Sequence, residues 1–409
     1  MKILIVNTLD VQGGAARAAY RLHQALLAES VDSAMLVQSK SSDDYTVIGP
    51  NTKIKKTLSK LRPSLDSLPL FRYKNRSKTL FSLNWLPFSD VVDRINDINP
   101  DVVHLHWVNA GMMRTEDLIR IKAPIVWSLH DMWPFTDGYH YDPKFDINDY
   151  GLSSEPRLHH QAKVFSRKNK AYRKIKNITV VGLSKWLHDC SKNSSLLGDK
   201  VHVNLPNPID TKAYSPFNKG HARDLFNLPS NKKLVLFGAM GATSDPRKGF
   251  KELADSLSLL NTHVELVVFG SRKPERPPNF KQKVHYLGEL NDDVSLRILY
   301  SAADVMVVPS LQENLSNAIM ESLSCATPAV GFDIGGNGDL IEHQKTGYLA
   351  KPFDTADLAK GIEWVLNAKN YEEVCQNARD KVLCEFDSQV VAKKYIGLYK
   401  SILDPGKKA

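Results

Sequence analysis

The chain opens with a short apolar run from Lys2 to Thr8, then Gly13-Gly14, then Ala15, Ala18, Ala19, Leu22, Ala25 and Leu26 at helical spacing. A buried parallel strand, a glycine turn and a helix whose alanines let it lie close to a sheet begin a doubly wound α/β domain. Further strand-like runs fall at 33–37, 101–106, 125–129 and 178–181, and Ser184 reads as the N-cap of a helix. The pattern breaks at Leu205-Pro206-Asn207-Pro208, because Pro-Asn-Pro can extend neither a helix nor a central strand. It then restarts, with strands expected at 233–238, 264–270, 284–287, 304–308 and 328–332 and helices at 249–260, 293–302 and 314–324. The expectation is two Rossmann-like doubly wound domains, 1–208 and 209–386. A terminal segment, 387–409, carries Val391, Tyr395, Leu398 and Tyr399 on one helical face and is expected to pack back on the first domain. Segments 51–90 and 140–165 lack clear alternation and read as irregular or helical insertions, and the two halves do not read as copies.

Composition excludes the exotic classes: 42% apolar and 24% charged residues fit a soluble globular chain. No apolar run reaches the roughly 18–20 residues of a membrane helix. The opening run is shorter than the roughly 7–15 residues of a signal-peptide core. The four cysteines, Cys190, Cys325, Cys375 and Cys384, have no C-x-x-C spacing and read as reduced thiols of a cytoplasmic protein. The net charge of +9 is localised. Residues 53–78 hold nine Lys/Arg against Asp66 alone, and 157–176 hold eight with no acid, so the two patches carry +16 and the remainder −7.

Glu313 and Glu321 flank Asn314, Leu315, Ser316 and Asn317 at the start of an expected helix, just after an expected strand. Were the stretch all helix, the glutamates would sit ~12 Å apart. That is too far for a glycosidase pair, which needs about 5–9.5 Å. It suits a clamp on a long ligand, with the N–H groups of Leu315 to Asn317 holding a diphosphate between the carboxylates. The alternative, at even weight from spacing alone, is a solvated loop Glu and a water-facing mid-helix Glu.

Glu313 to Glu321 resembles the Glu-x7-Glu motif of glycosyltransferase family 4, retaining enzymes of the GT-B fold. Gly13-Gly14, Lys248-Gly249, Gly335-Gly336 and Thr346-Gly347-Tyr348-Leu349 are similar to that family's other elements. Ser128-Leu129-His130-Asp131-Met132-Trp133-Pro134-Phe135-Thr136 resembles a subgroup making exopolysaccharide of the colanic-acid type. The resemblance implies two domains facing across a cleft and metal-independent transfer with retention. It implies that Glu313 contacts the donor sugar, Glu321 the ribose and Lys248 the diphosphate, with Gly14 in the donor site. It places His130 at the reacting centre, and Gly13, His106 and Asp131 are expected on the acceptor side. The family's Gly-Arg is absent, since Gly238-Ala239 stands there, and Arg247 is the candidate substitute. His104 is read as a satisfied structural residue.

A metal site built from His130, Asp131, Asp137, His140 and Asp142 is rejected, because the spacing fits no known ligand set. No cofactor is expected beyond the nucleotide-diphosphate sugar. The segments Gly270–Lys273 and Tyr286–Gly288 are the places to look for base contacts. In the first basic patch Ile54, Leu58 and Leu61 recur at helical spacing among lysines, which reads as an anionic membrane surface contact. No nucleic-acid reader motif accompanies the charge.

The sequence reading is therefore a hexosyltransferase that uses a UDP- or GDP-sugar and a saccharide or polyprenyl-linked acceptor. It would work at the inner face of the cytoplasmic membrane in surface polysaccharide synthesis. The alternatives are another GT-B enzyme, such as a nucleotide-sugar epimerase or phosphorylase, or a non-catalytic basic binding protein.

Overall fold

The computed structural model describes residues 1–73, 79–141, 159–238, 241–290 and 292–404. Lys74, Arg76, Lys78, Asp142, Arg157 and Ala239 lie outside the described residues. The chain divides into two compact units, Met1–Pro208 with Val391–Ala409, and Ile209–Val390.

In the first unit the strands are β1 (Lys2–Leu9), β2 (Asp32–Ser39), β3 (Val47–Ile48), β4 (Val102–Leu105), β5 (Ile125–Leu129), β6 (Ile178–Gly182) and β7 (Val201–Asn204). They form a sheet in the order β3-β2-β1-β4-β5-β6-β7, every recorded pairing parallel. Ile3, Ile5, Val102, Val126 and Val181 face one layer, and Leu4, Val6, Val103, Ile125 and Val180 face the other. This is the period-two partition of a sheet covered on both sides. The helix Gly14–Ala28 contributes Ala19, Leu22 and Leu26 to the first layer. The helix Ser388–Leu403 adds Val391, Ala392, Tyr395 and Tyr399 to that same layer.

In the second unit the strands are β8 (Lys233–Gly238), β9 (Val264–Phe269), β10 (Val284–Tyr286), β11 (Val305–Val308), β12 (Ala329–Phe332) and β13 (Gly347–Ala350). Their order, β10-β9-β8-β11-β12-β13, repeats that of the first six strands of the other sheet. The topology is thus duplicated although the sequences of the halves do not read as copies. In both units the strand order reverses beside the opening strand, between β1 and β4 and between β8 and β11. That reversal opens a crevice at the carboxyl ends of the strands.

Two expectations need correction. Strands β3, β7 and β13 were not anticipated; they span two to four residues, too short to show a period. The helix expected at 314–324 runs Asn317–Ser324, because Ser316 caps it by accepting from the Ile319 N–H. The segments read as irregular or helical insertions do hold helices, Lys53–Ser67 within 51–90 and the start of His159–Tyr172 within 140–165. No helix among the described residues is long and apolar enough to cross a membrane.

Candidate functional site

In the second unit a pocket opens at the strand-order reversal. It is lined by Phe237 and Gly238 of β8, Val307 and Val308 of β11, and Lys248, Ser310, Glu313, Ser316 and Ala318. Lys248 Nζ donates to Glu313 Oε2 at 2.8 Å, and both side chains are mostly buried. Two glycines set this contact. Gly249 has φ +72, and a Cβ there would stand 1.8 Å from the Pro309 carbonyl oxygen. Gly335 has φ +52, and its Cβ would stand 1.8 Å from the Glu313 carbonyl oxygen. Only glycine permits either approach. The Leu311 N–H also bonds the Arg247 carbonyl at 2.8 Å. The turn carrying Lys248 and the loop carrying Glu313 are therefore stitched together through backbone.

Ser316 and Ala318 place the first turn of the Asn317–Ser324 helix on the pocket wall, an end that favours anions. Asn314 and Leu315 are buried, precede the helix and do not line the pocket; neither does Asn317. Glu321 is not beside Glu313 in the pocket. It is buried within the helix, and its Oε2 accepts from the Tyr300 hydroxyl at 2.9 Å. Burial, then the Glu321 carboxylate, push the Tyr300 phenol well above its ordinary pKa, so it stays a donor. Arg247 also lies off the pocket wall and gives its guanidinium to Asp245 Oδ2 at 2.5 Å. The two expected base-contact loops do meet: Ser271 bridges Gly288, and the Gly270 N–H bonds the Gly288 carbonyl at 2.8 Å.

In the first unit Gly13 (φ 94, ψ 160) caps the Gly14–Ala28 helix just after β1. His106 and His130 follow β4 and β5 at the same edge, and His106 Nδ1 lies 2.8 Å from His130 Nε2. Burial pushes His130 down to about 4, opposed by Asp131, and holds His106 well below its ordinary value. Both imidazoles are neutral at pH 7. A neutral His130 can hydrogen-bond a hydroxyl but does not supply fixed positive charge. His104 is satisfied on both nitrogens, by the Tyr399 hydroxyl at 2.6 Å and Ser128 Oγ at 2.8 Å.

Asp131 is a scaffold within this edge. Its carboxylate accepts from the Trp133 N–H, from Trp107 Nε1 at 2.9 Å and from His140 Nδ1 at 2.6 Å. His140 Nε2 in turn meets Ser82 Oγ at 2.7 Å. The Lys168 ammonium is buried, donates to the Trp133 and Thr136 carbonyls, and sits 3.5 Å above the Trp133 ring. These partners were missed, because a contact between Lys168 and Trp133 leaves no periodic trace. The second basic patch is correspondingly reduced. Lys168 is inside, and Arg167 pairs with Glu116 and caps the Leu83 and Asn84 carbonyls. Lys163, Lys170, Arg173, Lys174 and Lys176 remain exposed.

Residues 12–212 match the family model described as Glycosyltransferase Family 4, and residues 231–368 match Glycosyl transferases group 1. Each of the two compact units thus contains a segment that matches a glycosyltransferase family model. The segment matching the Family 4 model includes the Gly13, His106 and His130 edge, and the segment matching the group 1 model includes the Lys248 and Glu313 pocket.

An uncharacterised glycosyltransferase of Methanocaldococcus jannaschii is 30% identical over 30% of this chain and 32% of its own length. A UDP-Gal:alpha-D-GlcNAc-diphosphoundecaprenol alpha-1,3-galactosyltransferase of Escherichia coli is 26% identical over 49% of this chain and 54% of its own. The chain spans between about a third and three fifths of the length of the curated relatives it matches. Anabaena HepE in complex with UDP-glucose superposes with a TM-score of 0.66 at 18% identity, over 98% of this chain and all of that one. The fold is that of GT-B glycosyltransferases, two parallel-sheet Rossmann-like domains.

Proposed function

We propose that the protein is a retaining glycosyltransferase. It moves a hexose from a UDP- or GDP-sugar to a saccharide or polyprenyl-linked acceptor in bacterial surface polysaccharide synthesis. The observation that carries this reading is the Lys248–Glu313 pair, set beside a helix N-terminus at the strand-order reversal of the second sheet. Breaking a sugar–diphosphate bond builds negative charge on the leaving group and positive charge on the sugar. Lys248 and the first-turn N–H groups of Asn317–Ser324 supply the fixed positive groups for the diphosphate, and Glu313 faces the sugar. Arg247, held by Asp245, is the weaker candidate for that work. Glu321, whose carboxylate is held by the Tyr300 hydroxyl, takes the ribose hydroxyls once the donor is seated.

His130, neutral, serves the sugar hydroxyls near the anomeric carbon, with His106 fixing its ring. Gly13 and Gly14 let the acceptor and donor approach the backbone. The charge stabilisation is assigned to protein groups, so no metal is invoked. The leaving phosphate accepts the acceptor's proton, in keeping with the lack of a candidate nucleophile in the sequence. The names of two relatives support the substrate classes, UDP-glucose bound to one and a diphosphoundecaprenol acceptor for the other. The enzyme works at the inner, anionic face of the cytoplasmic membrane, a reading that the exposed basic residues of the first domain support.

Product analysis tests this. The protein is incubated with a panel of UDP- and GDP-sugars and polyprenyl-diphosphate-linked saccharides in the presence of a chelator. The expected product is a glycoside with the donor's anomeric configuration. A free epimer or sugar phosphate without a glycoside points to the epimerase or phosphorylase alternative and overturns the reading.

A further inference from the structure

The Lys53–Ser67 helix turns its side chains the opposite way from an ordinary surface helix. Its buried residues are Ser59, Arg62 and Asp66, while Ile54, Leu58 and Leu61 are 80%, 41% and 53% exposed. Arg62 fixes that orientation: its guanidinium donates to the carbonyls of Gly111, Leu86, Pro87 and Phe88. The Asp66 carboxylate accepts the Asn84 and Trp85 N–H groups. The helix cannot roll without stripping a buried guanidinium and a buried carboxylate of their partners.

At about 100° per residue, the outward side splits in two. Ile54, Leu58 and Leu61 form one flank, and Lys53, Lys56 and Lys60 form the other. Just beyond the helix Leu68 and Phe71 are exposed as well, 52% and 76%. The basic flank borders a groove of about 480 Å³ lined by Lys40, Lys56, Lys60, Ser39, Ser42 and Ser59. Lys55, on the buried side, is already paired with Asp90 at 2.6 Å.

We propose that this helix is the membrane-docking element of the first domain and that its occupant is an anionic phospholipid bilayer. The apolar flank enters the acyl boundary, and the basic flank with its groove takes lipid phosphates. Charge complementarity carries the choice of occupant: an apolar edge alone fits many partners, but one continuous with a lysine row fits an anionic interface. The proposal rests on the peripheral placement proposed above and assigns it to particular residues.

The test is co-sedimentation of the full chain with vesicles of phosphatidylcholine alone or mixed with phosphatidylglycerol. Wild type is expected to bind only the mixed vesicles. Lys53→Gln/Lys56→Gln/Lys60→Gln should weaken binding about a hundredfold, at roughly fivefold per lysine. Ile54→Ser/Leu58→Ser/Leu61→Ser should weaken it at least tenfold and abolish binding that survives high salt. Lys170→Gln/Lys174→Gln, in the second patch, should bind like wild type. All substituted side chains are exposed, so melting temperatures should be unchanged.

If wild type binds and both triple variants bind equally well, the docking helix is wrong and the peripheral placement stands. If wild type binds no vesicle, both fail. A dimer in solution that Ile54→Ser/Leu58→Ser/Leu61→Ser dissociates would assign this face to a second copy and overturn the proposal.

Discussion

Gly335 has no side chain, yet it positions Glu313, because the space a Cβ would take there is filled by the Glu313 carbonyl oxygen. Gly335→Ala should cost at least about 2 kcal/mol, from left-handed backbone strain and the forced displacement of that loop. Donor affinity should fall with it, read by urea unfolding and nucleotide-sugar titration. An alanine variant with unchanged stability and affinity would remove Gly335 from the site. The pairing of Glu313 with a helix start was legible from spacing, and Lys248 from the resemblance. What Gly249 and Gly335 approach was not, since φ values and close contacts across 60 and 22 residues leave no local pattern. His104 is similar: its partner Tyr399 is 295 residues away in sequence.

Buried His23 makes a second residue-scale prediction. It sits between Ser33 Oγ and Thr46 Oγ1, and burial lowers its pKa to about 4, opposed by Asp44. The unfolded chain then binds the proton more readily, so stability contributed by this group is complete above pH ~6.5 and is lost as pH falls toward 4. Between pH 7 and pH 5 the loss from His23 should be about 2 kcal/mol. His23→Gln should show a correspondingly flatter dependence of the urea midpoint on pH over that interval. An unchanged slope would contradict the assignment.

At the scale of elements, the sequence conveyed which segments alternate and which are helical, but not which way a helix faces. Ile54, Leu58 and Leu61 gave the helical period correctly, and their stripe points outward because Arg62 finds four carbonyls inside. Arg62→Ala leaves those carbonyls without their donor and should destabilise the first domain by about 2–4 kcal/mol. Lys60→Ala, on the same helix but exposed, should cost less than about 0.5 kcal/mol. Equal effects in chemical denaturation would mean Arg62 is no anchor. Strand β13 was visible only as the Thr-Gly-x-Leu motif. Its four residues pair with β12 and owe their strand character to that neighbour rather than to their own pattern.

For the whole molecule, the duplicated strand order explains why the chemistry-bearing residues cluster. Each sheet has one place where its crossovers diverge, and Gly13 and His106 flank it in the first as Gly238 and Ser310 do in the second. The alternation of strands and helices and the Pro-Asn-Pro break made this architecture legible. The equivalence of the two topologies was hidden, because it lies in strand order and not in sequence. The central claim is that Glu313 acts on a sugar donor in the second domain's pocket, and one comparison tests it most directly. Transfer from the preferred nucleotide sugar is measured with a chelator present for wild type and Glu313→Gln, at matched melting temperature. The account predicts a loss of at least about a hundredfold in kcat/KM, a size expected for removing a preorganised charged group. Transfer that survives the substitution, or that requires a divalent metal, would contradict it.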